Sequence, residues 1–377
     1  MERFFIDVDD ALIADLHDRV ARTRWPDAVT TDWSWGTPPG ALRELADHWR
    51  TGYDWSATQR RLNAHPQILV DVDGERLHVL RAGTPGTTPL FLLHGWPDAF
   101  IRFEKVLPLL GDRFDLVVPS LPGFGFSPGP ANPGWGPDRI ADALAGVADE
   151  LGMASFVVHG ADVGSTIAES LAARHPDRVL ALHLGDVPAW HRYQLAGAEL
   201  APDEKAYADQ MATWFAAEGA YAMLHRTKPQ TLAYALADSP VALAAWFVEK
   251  LRSWSDGDGP WGGFTRDEVL DLLTIAWATG TGPSSVRHYR DAALHPSTHT
   301  DRVTVPTGFT LFPRDIALAP RVYAERFFDV RHYAVMPRGG HFGPWEEPRL
   351  FADDLRAFVD AVLGSDTDAP TGSASAR

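Results

Sequence analysis

The chain of 377 residues contains no cysteine, which removes disulfides, thiolate metal sites and cysteine nucleophiles together. Positive charge is also in short supply: 34 Lys and Arg against 50 Asp and Glu leave a net charge of -16. A nucleic-acid or anionic-membrane partner needs basic surface, so neither is expected. Long apolar runs are missing too. The opening Met1-Glu2-Arg3-Phe4-Phe5-Ile6-Asp7 turns acidic at once, and no later stretch approaches the roughly 18 apolar residues that a membrane span requires. The expectation is a soluble, cytoplasmic protein, with no cofactor or metal called for and a homodimer left open. There are no internal repeats, and the Ser/Thr/Asp/Ala/Gly-rich tail, residues 365–377, reads as disordered.

What is present is one stretch around which the rest is arranged. Phe156-Val157-Val158-His159-Gly160-Ala161-Asp162-Val163-Gly164-Ser165 reads as a buried strand ending in a tight turn that opens a helix from Thr166 to His175. Gly160 and Gly164 flank Asp162 in the small-x-nucleophile-x-small pattern, where a side chain at either glycine would strike the neighbouring strand or helix. With Asp at the centre in place of Ser, the nucleophile is a carboxylate, ionised at neutral pH, that attacks an electrophilic carbon and forms an ester. An Asp N-cap on an ordinary strand-to-helix turn is the alternative, and distant partners decide between them.

Residues 1–66 show no strand pattern. Leu12, Leu16 and Val20 recur on one face of a helix that Asp7 or Asp9 would cap, and a second helix spans about Gly40 to Gly52. Trp25, Trp33, Trp35, Trp49 and Trp55 are too dense for an independent core of that size and suggest an arm wrapped on a larger domain. From residue 67 the period changes to that of strands, first as a hairpin about Asp73-Gly74. Short apolar strands then alternate with helices, one of them expected from about Ala99 to Leu110, which predicts a mostly parallel α/β sheet of eight strands over 67–187 and 298–364. Between them, residues 188–297 look helical throughout: a block inserted after the sixth strand, placed as a cap over the strands' carboxyl ends, where open α/β sheets bind ligands. Ser239-Pro240 and the capping box Thr265-Arg266-Asp267-Glu268 each open a helix within it.

His341 follows the last strand in Gly339-Gly340-His341-Phe342 and precedes the closing helix, the place of the base in folds whose chain order is nucleophile, acid, base. Two acids end earlier strands: Asp315, which is favoured, and Asp186. Chain order does not separate them. In His94-Gly95-Trp96-Pro97, the backbone N–H of Trp96, with that of Val163, would form an oxyanion hole for an esterified Asp162. His94, Trp96, Pro97 and Phe342 are candidates for the pocket wall, with a structural role for His94 the simpler one. Gly123 and Gly125 read as turn glycines, since no G-x-G-x-x-G motif follows and a dinucleotide site is discounted.

With these residues in place the chain resembles the epoxide hydrolases of the α/β-hydrolase fold, specifically the microsomal type with its N-terminal extension. The resemblance runs from Phe4 to Leu363. It rests also on Arg24-Trp25-Pro26, Gly52-Tyr53-Asp54-Trp55, Thr227-Lys228-Pro229, Asp238-Ser239-Pro240 and Thr279-Gly280-Thr281-Gly282. It implies hydrolysis of an epoxide to a vicinal diol, with Asp162 as nucleophile, His341 as base and Asp315 as its acid where relatives often have Glu. It also implies that Tyr221 and Tyr289 are the cap tyrosines that bind the epoxide oxygen. Relatives usually carry Trp after the nucleophile, where this chain has Val163, and the family's membrane anchor is missing, as in its soluble bacterial members.

Two other readings stay open. A dehalogenase on the same fold would need N–H donors for a departing halide, often an indole beside the nucleophile; the Val163 side chain has none there, and the Trp96 indole offers one. A non-catalytic scaffold could bind a hydrophobic ligand beneath the aromatic cap, whose Trp214, Phe215, Trp246, Phe247, Trp254 and Trp277 suit a bulky apolar molecule or are simply cap core. Ester hydrolysis ranks last because an Asp nucleophile would form an anhydride.

Overall fold

The computed structural model describes residues 1–195 and 197–364; the tail expected to be disordered lies outside them. Nine strands form one sheet: β1 Glu2–Phe4, β2 Gln67–Val72, β3 Glu75–Gly83, β4 Thr88–Leu93, β5 Phe114–Pro119, β6 Phe156–Gly160, β7 Val179–Leu184, β8 Val303–Leu311 and β9 Phe328–Val335. Their order across the sheet is β1-β2-β3-β5-β4-β6-β7-β8-β9. The first three pairings in that order are antiparallel and the other five parallel. β4, β5 and β6 are buried along most or all of their length, the continuous apolar pattern of strands covered on both faces.

β5 lies on one side of β4 and β6 on the other, so the chain reverses its direction of travel across the sheet there. A crevice opens beyond the carboxyl ends at such a reversal. The Gly95-Trp96 turn after β4 and the Asp162 turn after β6 meet in it.

Two expectations need correction. The arm does contain a strand: β1 pairs antiparallel with β2, Arg3 opposite Ile68, and makes nine strands of the expected eight. Three residues are too few for a period-2 pattern; backbone pairing at a sheet edge holds them, with the Phe4 ring packed against His78 and Phe126. The inserted block consequently follows the seventh strand. The helix expected over 99–110 is instead a 3-10 turn, Phe100–Phe103, and a short helix, Leu107–Leu110. Pro108, which has no N–H to donate, sits in the first turn of the second piece and suits a start better than a continuation.

Other local signals follow the expected chemistry. Asp9 caps Asp10–Ala21, Ser239 caps Pro240–Trp254, and Thr265 and Glu268 close their capping box on Arg266–Ala278. The arm reaches the inserted helices as well as the sheet edge. Trp49 Nε1 donates to Thr274 Oγ1 at 2.9 Å. Asp271 accepts from Tyr53, Thr58 and Arg61 at 2.7, 2.6 and 2.6 Å.

Both joints of the inserted block close on one buried carboxylate, Glu169 of the helix Val163–Arg174. At the entry, Trp190 Nε1 donates to it at 2.8 Å and His191 Nε2 lies 2.6 Å away. At the exit, His299 Nε2 lies 3.2 Å from the same oxygen that His191 meets. Among the described residues no single helix is long and apolar enough to cross a membrane.

Candidate active site

Asp162 is held at φ 56°, one of only two non-glycine residues at positive φ among those described, the other being the hairpin residue Asp73. Such a backbone costs energy that its surroundings must supply, and it lifts the side chain off the end of β6. The glycines leave no room for anything larger. A Cβ on Gly160 would stand 2.1 Å from the Gly164 carbonyl oxygen, and one on Gly95 would stand 2.6 Å from Asp162 Cβ.

Around the carboxylate the structure gathers partners from across the chain. Asp162 Oδ1 accepts from the Trp96 amide at 2.8 Å. Val163 is the first residue of its helix, so its amide is among those an α-helix leaves without an internal acceptor. On the other oxygen, His341 Nε2 lies 3.5 Å from Asp162 Oδ2. His341 Nδ1 meets Asp315 Oδ1 at 2.7 Å. The His341 side chain is 4 % exposed and that of Asp162 13 %. Burial alone would lower the imidazole pKa, but the charges and hydrogen bonds of Asp315 and Asp162 outweigh it and raise the pKa well above the ordinary value.

Tyr221 and Tyr289 come from two short helices, Ala220–Thr227 and His288–Leu294, with ring centroids 6.0 Å apart. Both phenols are pushed above their usual pKa, first by burial and also by the Asp162 charge, so they remain protonated donors. The Trp96 indole stacks on Tyr221 at 5.1 Å and meets Tyr289 edge-on at 6.0 Å. Phe342 is fully buried beside Trp254 and His341. Pro97 is buried next to Trp96.

His94, a possible pocket residue for which a structural role is the simpler reading, has loop partners on both ring nitrogens. Its Nε2 accepts from the Leu121 amide at 3.0 Å, its Nδ1 lies 3.0 Å from the Gly95 carbonyl, and the side chain is fully buried. Both ring nitrogens serve the loop, and neither is offered to a ligand.

Asp186 separates from Asp315 by position. It sits beneath the elbow: Oδ1 accepts from the Asp162 amide at 2.8 Å, and Oδ2 lies 3.0 Å from Ser165 Oγ. Ser165 Oγ is also 2.7 Å from the Asp162 carbonyl, and its single proton cannot serve both acceptors. A protonated Asp186 resolves this by donating its own O–H to Ser165. Burial, and then the charge of Asp315, push the Asp186 pKa up to about 7.

The folded pKa lies above the unfolded value of about 3.9, so the group favours the fold fully below that pH and loses the contribution as pH rises through about 7. Asp186→Asn keeps both hydrogen bonds without an ionisable proton. It is expected to raise the melting temperature over wild type more at about pH 8 than at about pH 5. Equal shifts at both would contradict a buried neutral acid.

Three supporting residues escape sequence reasoning. Asp98 accepts from the Gly95 amide at 2.8 Å and pairs with Arg102 at 2.6 Å, both side chains fully buried. Arg102 Nη2 in turn donates to the His341 carbonyl at 3.1 Å, tying the Trp96 loop to the His341 loop. Glu346 accepts from the Phe342 and Gly340 amides at 2.9 and 3.2 Å and cradles His341 from below. The i, i+4 spacing of Asp98 and Arg102 was the one available signal, and it looks like any helical surface pair.

Comparison with known proteins points one way. Residues 1–103 match the family described as epoxide hydrolase N terminus, and residues 88–217 match the alpha/beta hydrolase fold. A Stigmatella aurantiaca protein provisionally designated an epoxide hydrolase is 37 % identical over 94 % of this chain and 83 % of its own length. Epoxide hydrolase 1 of Oryctolagus cuniculus is 31 % identical over 95 % of this chain and 88 % of its own. Among solved structures, the epoxide hydrolase of Aspergillus niger superposes with a TM-score of 0.84 at 28 % identity, covering 96 % of both chains.

Proposed function

Because the chain belongs to the epoxide hydrolases of the microsomal type, on the α/β-hydrolase fold, we propose that it converts an epoxide to a vicinal diol through an ester on Asp162. One geometry carries the proposal: the two oxygens of Asp162 have different partners, Oδ1 the Trp96 amide at 2.8 Å and Oδ2 the imidazole of His341 at 3.5 Å. Oδ2 attacks a ring carbon, the C–O bond of the epoxide breaks, and Tyr221 and Tyr289 hydrogen-bond the departing oxygen and give it a proton. Oδ1 is then the ester carbonyl, already resting on the Trp96 amide, with the Val163 amide as the second donor to the oxyanion that follows.

Esterification also prepares the base. The negative charge of Asp162 helps to keep His341 protonated, and the ester has none, so the imidazole pKa falls once the first step is complete. The proton passes to the phenolate or to solvent. Neutral His341, held by Asp315, takes a proton from water, whose oxygen attacks the Asp162 carbonyl carbon. The acyl C–Oδ2 bond breaks, Oδ2 takes up the remaining proton of the added water and leaves as a hydroxyl of the diol, and Asp162 is again a carboxylate.

That route fixes where oxygen goes. In heavy-oxygen water, a single turnover with enzyme in excess is expected to give unlabelled diol, and repeated turnover a labelled Asp162 peptide. Labelled diol in the first turnover, with an unlabelled peptide afterwards, would mean that water attacks the epoxide directly.

A further inference from the structure

His225 lies one helical turn beyond Tyr221 on Ala220–Thr227, fully buried. Its ring packs among Trp96, whose amide bonds the Asp162 carboxylate, and Tyr221 and Tyr289, whose phenols feel that carboxylate's charge. Trp96 lies edge-on at 4.7 Å, Tyr289 at 5.0 Å and Tyr221 at 5.6 Å between centroids.

The tautomer of this imidazole follows from its one hydrogen bond. Trp246 Nε1 donates to His225 Nε2 at 3.1 Å. An indole nitrogen can only donate, so Nε2 carries the lone pair and the proton of the neutral ring sits on Nδ1. The ring is neutral because burial, and further the Lys250 charge, hold its pKa down to about 3. Nδ1 is buried and has no hydrogen-bond partner among the described residues. Ring geometry turns that N–H away from Trp246.

A buried donor without an acceptor carries a desolvation cost that calls for an explanation. The Trp96 indole N–H and the Tyr289 hydroxyl, in the same cluster, are likewise buried and unpartnered. Two N–H groups that can only donate, those of His225 and of the Trp96 indole, therefore lie here without a hydrogen-bonded acceptor. In the catalytic reading above, which this inference presupposes, Tyr289 is assigned to the epoxide oxygen. The N–H of His225 has no such assignment.

We propose that His225 is a specificity-determining residue whose Nδ1–H, locked in place by Trp246, donates to a second oxygen acceptor on the substrate. The favoured class is epoxides that carry an ether or carbonyl oxygen near the ring, over hydrocarbon epoxides of the same shape.

The test uses phenyl glycidyl ether and its carbon isostere, in which a methylene replaces the ether oxygen. For each variant the quantity read is the ratio of kcat/KM for the ether to kcat/KM for the isostere. This ratio cancels the folded fraction of the enzyme, and its comparison between variant and wild type cancels the intrinsic reactivity of the two epoxides. His225→Phe is expected to lower the ratio roughly 3- to 10-fold against wild type, the span of one neutral hydrogen bond. His225→Gln, which restores an N–H, is expected to recover most of it. An unchanged ratio in His225→Phe, even with both activities reduced, would overturn the proposal and leave the N–H as a buried donor that serves packing alone. Failure of wild type to form diol from either epoxide would instead overturn the catalytic reading beneath it.

Discussion

Mixed with a styrene-oxide-like epoxide, His341→Gln is expected to gain the mass of one intact epoxide on the peptide that contains Asp162, while diol formation falls by ~10²–10⁴-fold. In the proposed route the asymmetry arises because the two half-reactions need different groups. Asp162 attacks as a carboxylate and requires no base, and its first oxyanion donor is a backbone amide that the substitution leaves alone. Breakdown of the ester requires a water deprotonated at His341 Nε2, the nitrogen 3.5 Å from Asp162 Oδ2. Glutamine fills a similar space and cannot accept that proton at neutral pH. Its loop is also pinned by contacts other than the imidazole: the His341 amide donates to the Trp254 carbonyl at 2.8 Å, and its carbonyl accepts from Arg102. The fold should therefore survive. Intact-protein and peptide mass spectrometry decide the matter. If neither adduct nor diol appears and a haloalkane labels the same peptide, the nucleophile stands and the dehalogenase reading replaces the epoxide one.

How much of this was readable beforehand depended on how local each feature was. The elbow was legible because its requirement is local: two glycines and an acid within five residues, after an apolar strand. His341 was legible from its place between the last strand and the last helix. The choice between Asp315 and Asp186 was not, because both end strands and both precede His341 in the chain. Only the fold shows that Asp315 approaches the imidazole at 2.7 Å while Asp186 turns under the elbow. β1 was hidden for another reason, since its three residues join the sheet by backbone pairing that side-chain alternation does not encode. His225 was hidden more deeply. Nothing in Tyr-Ala-Met-Leu-His distinguishes a surface histidine from one whose tautomer is set by an indole 21 residues away.

The tyrosines give the second large effect, and they separate function from packing by moving activity and stability in different directions. Tyr221→Phe with Tyr289→Phe is expected to slow ester formation by ~10²–10⁴-fold, since the ring oxygen then leaves as an alkoxide without a proton donor. Measured in the His341→Gln background, where the ester accumulates, that rate is isolated from hydrolysis. Either single variant should lose less than half of the double variant's effect on a logarithmic scale, because the remaining phenol still supplies a proton. Stability should not follow. The Tyr289 hydroxyl is buried with no hydrogen-bond partner among the described residues, and such a group costs about 1–3 kcal/mol to bury. Tyr289→Phe keeps the ring that packs against Trp96 and His225 and removes only that oxygen. Its melting temperature is expected to equal or exceed that of wild type while its rate falls. A hydroxyl kept despite a stability cost, in a ring that packs as well without it, is there for what binds against it. If activity and melting temperature instead fell together, the oxygen would be serving the fold, and the proton donor would have to be sought elsewhere among the groups above Asp162.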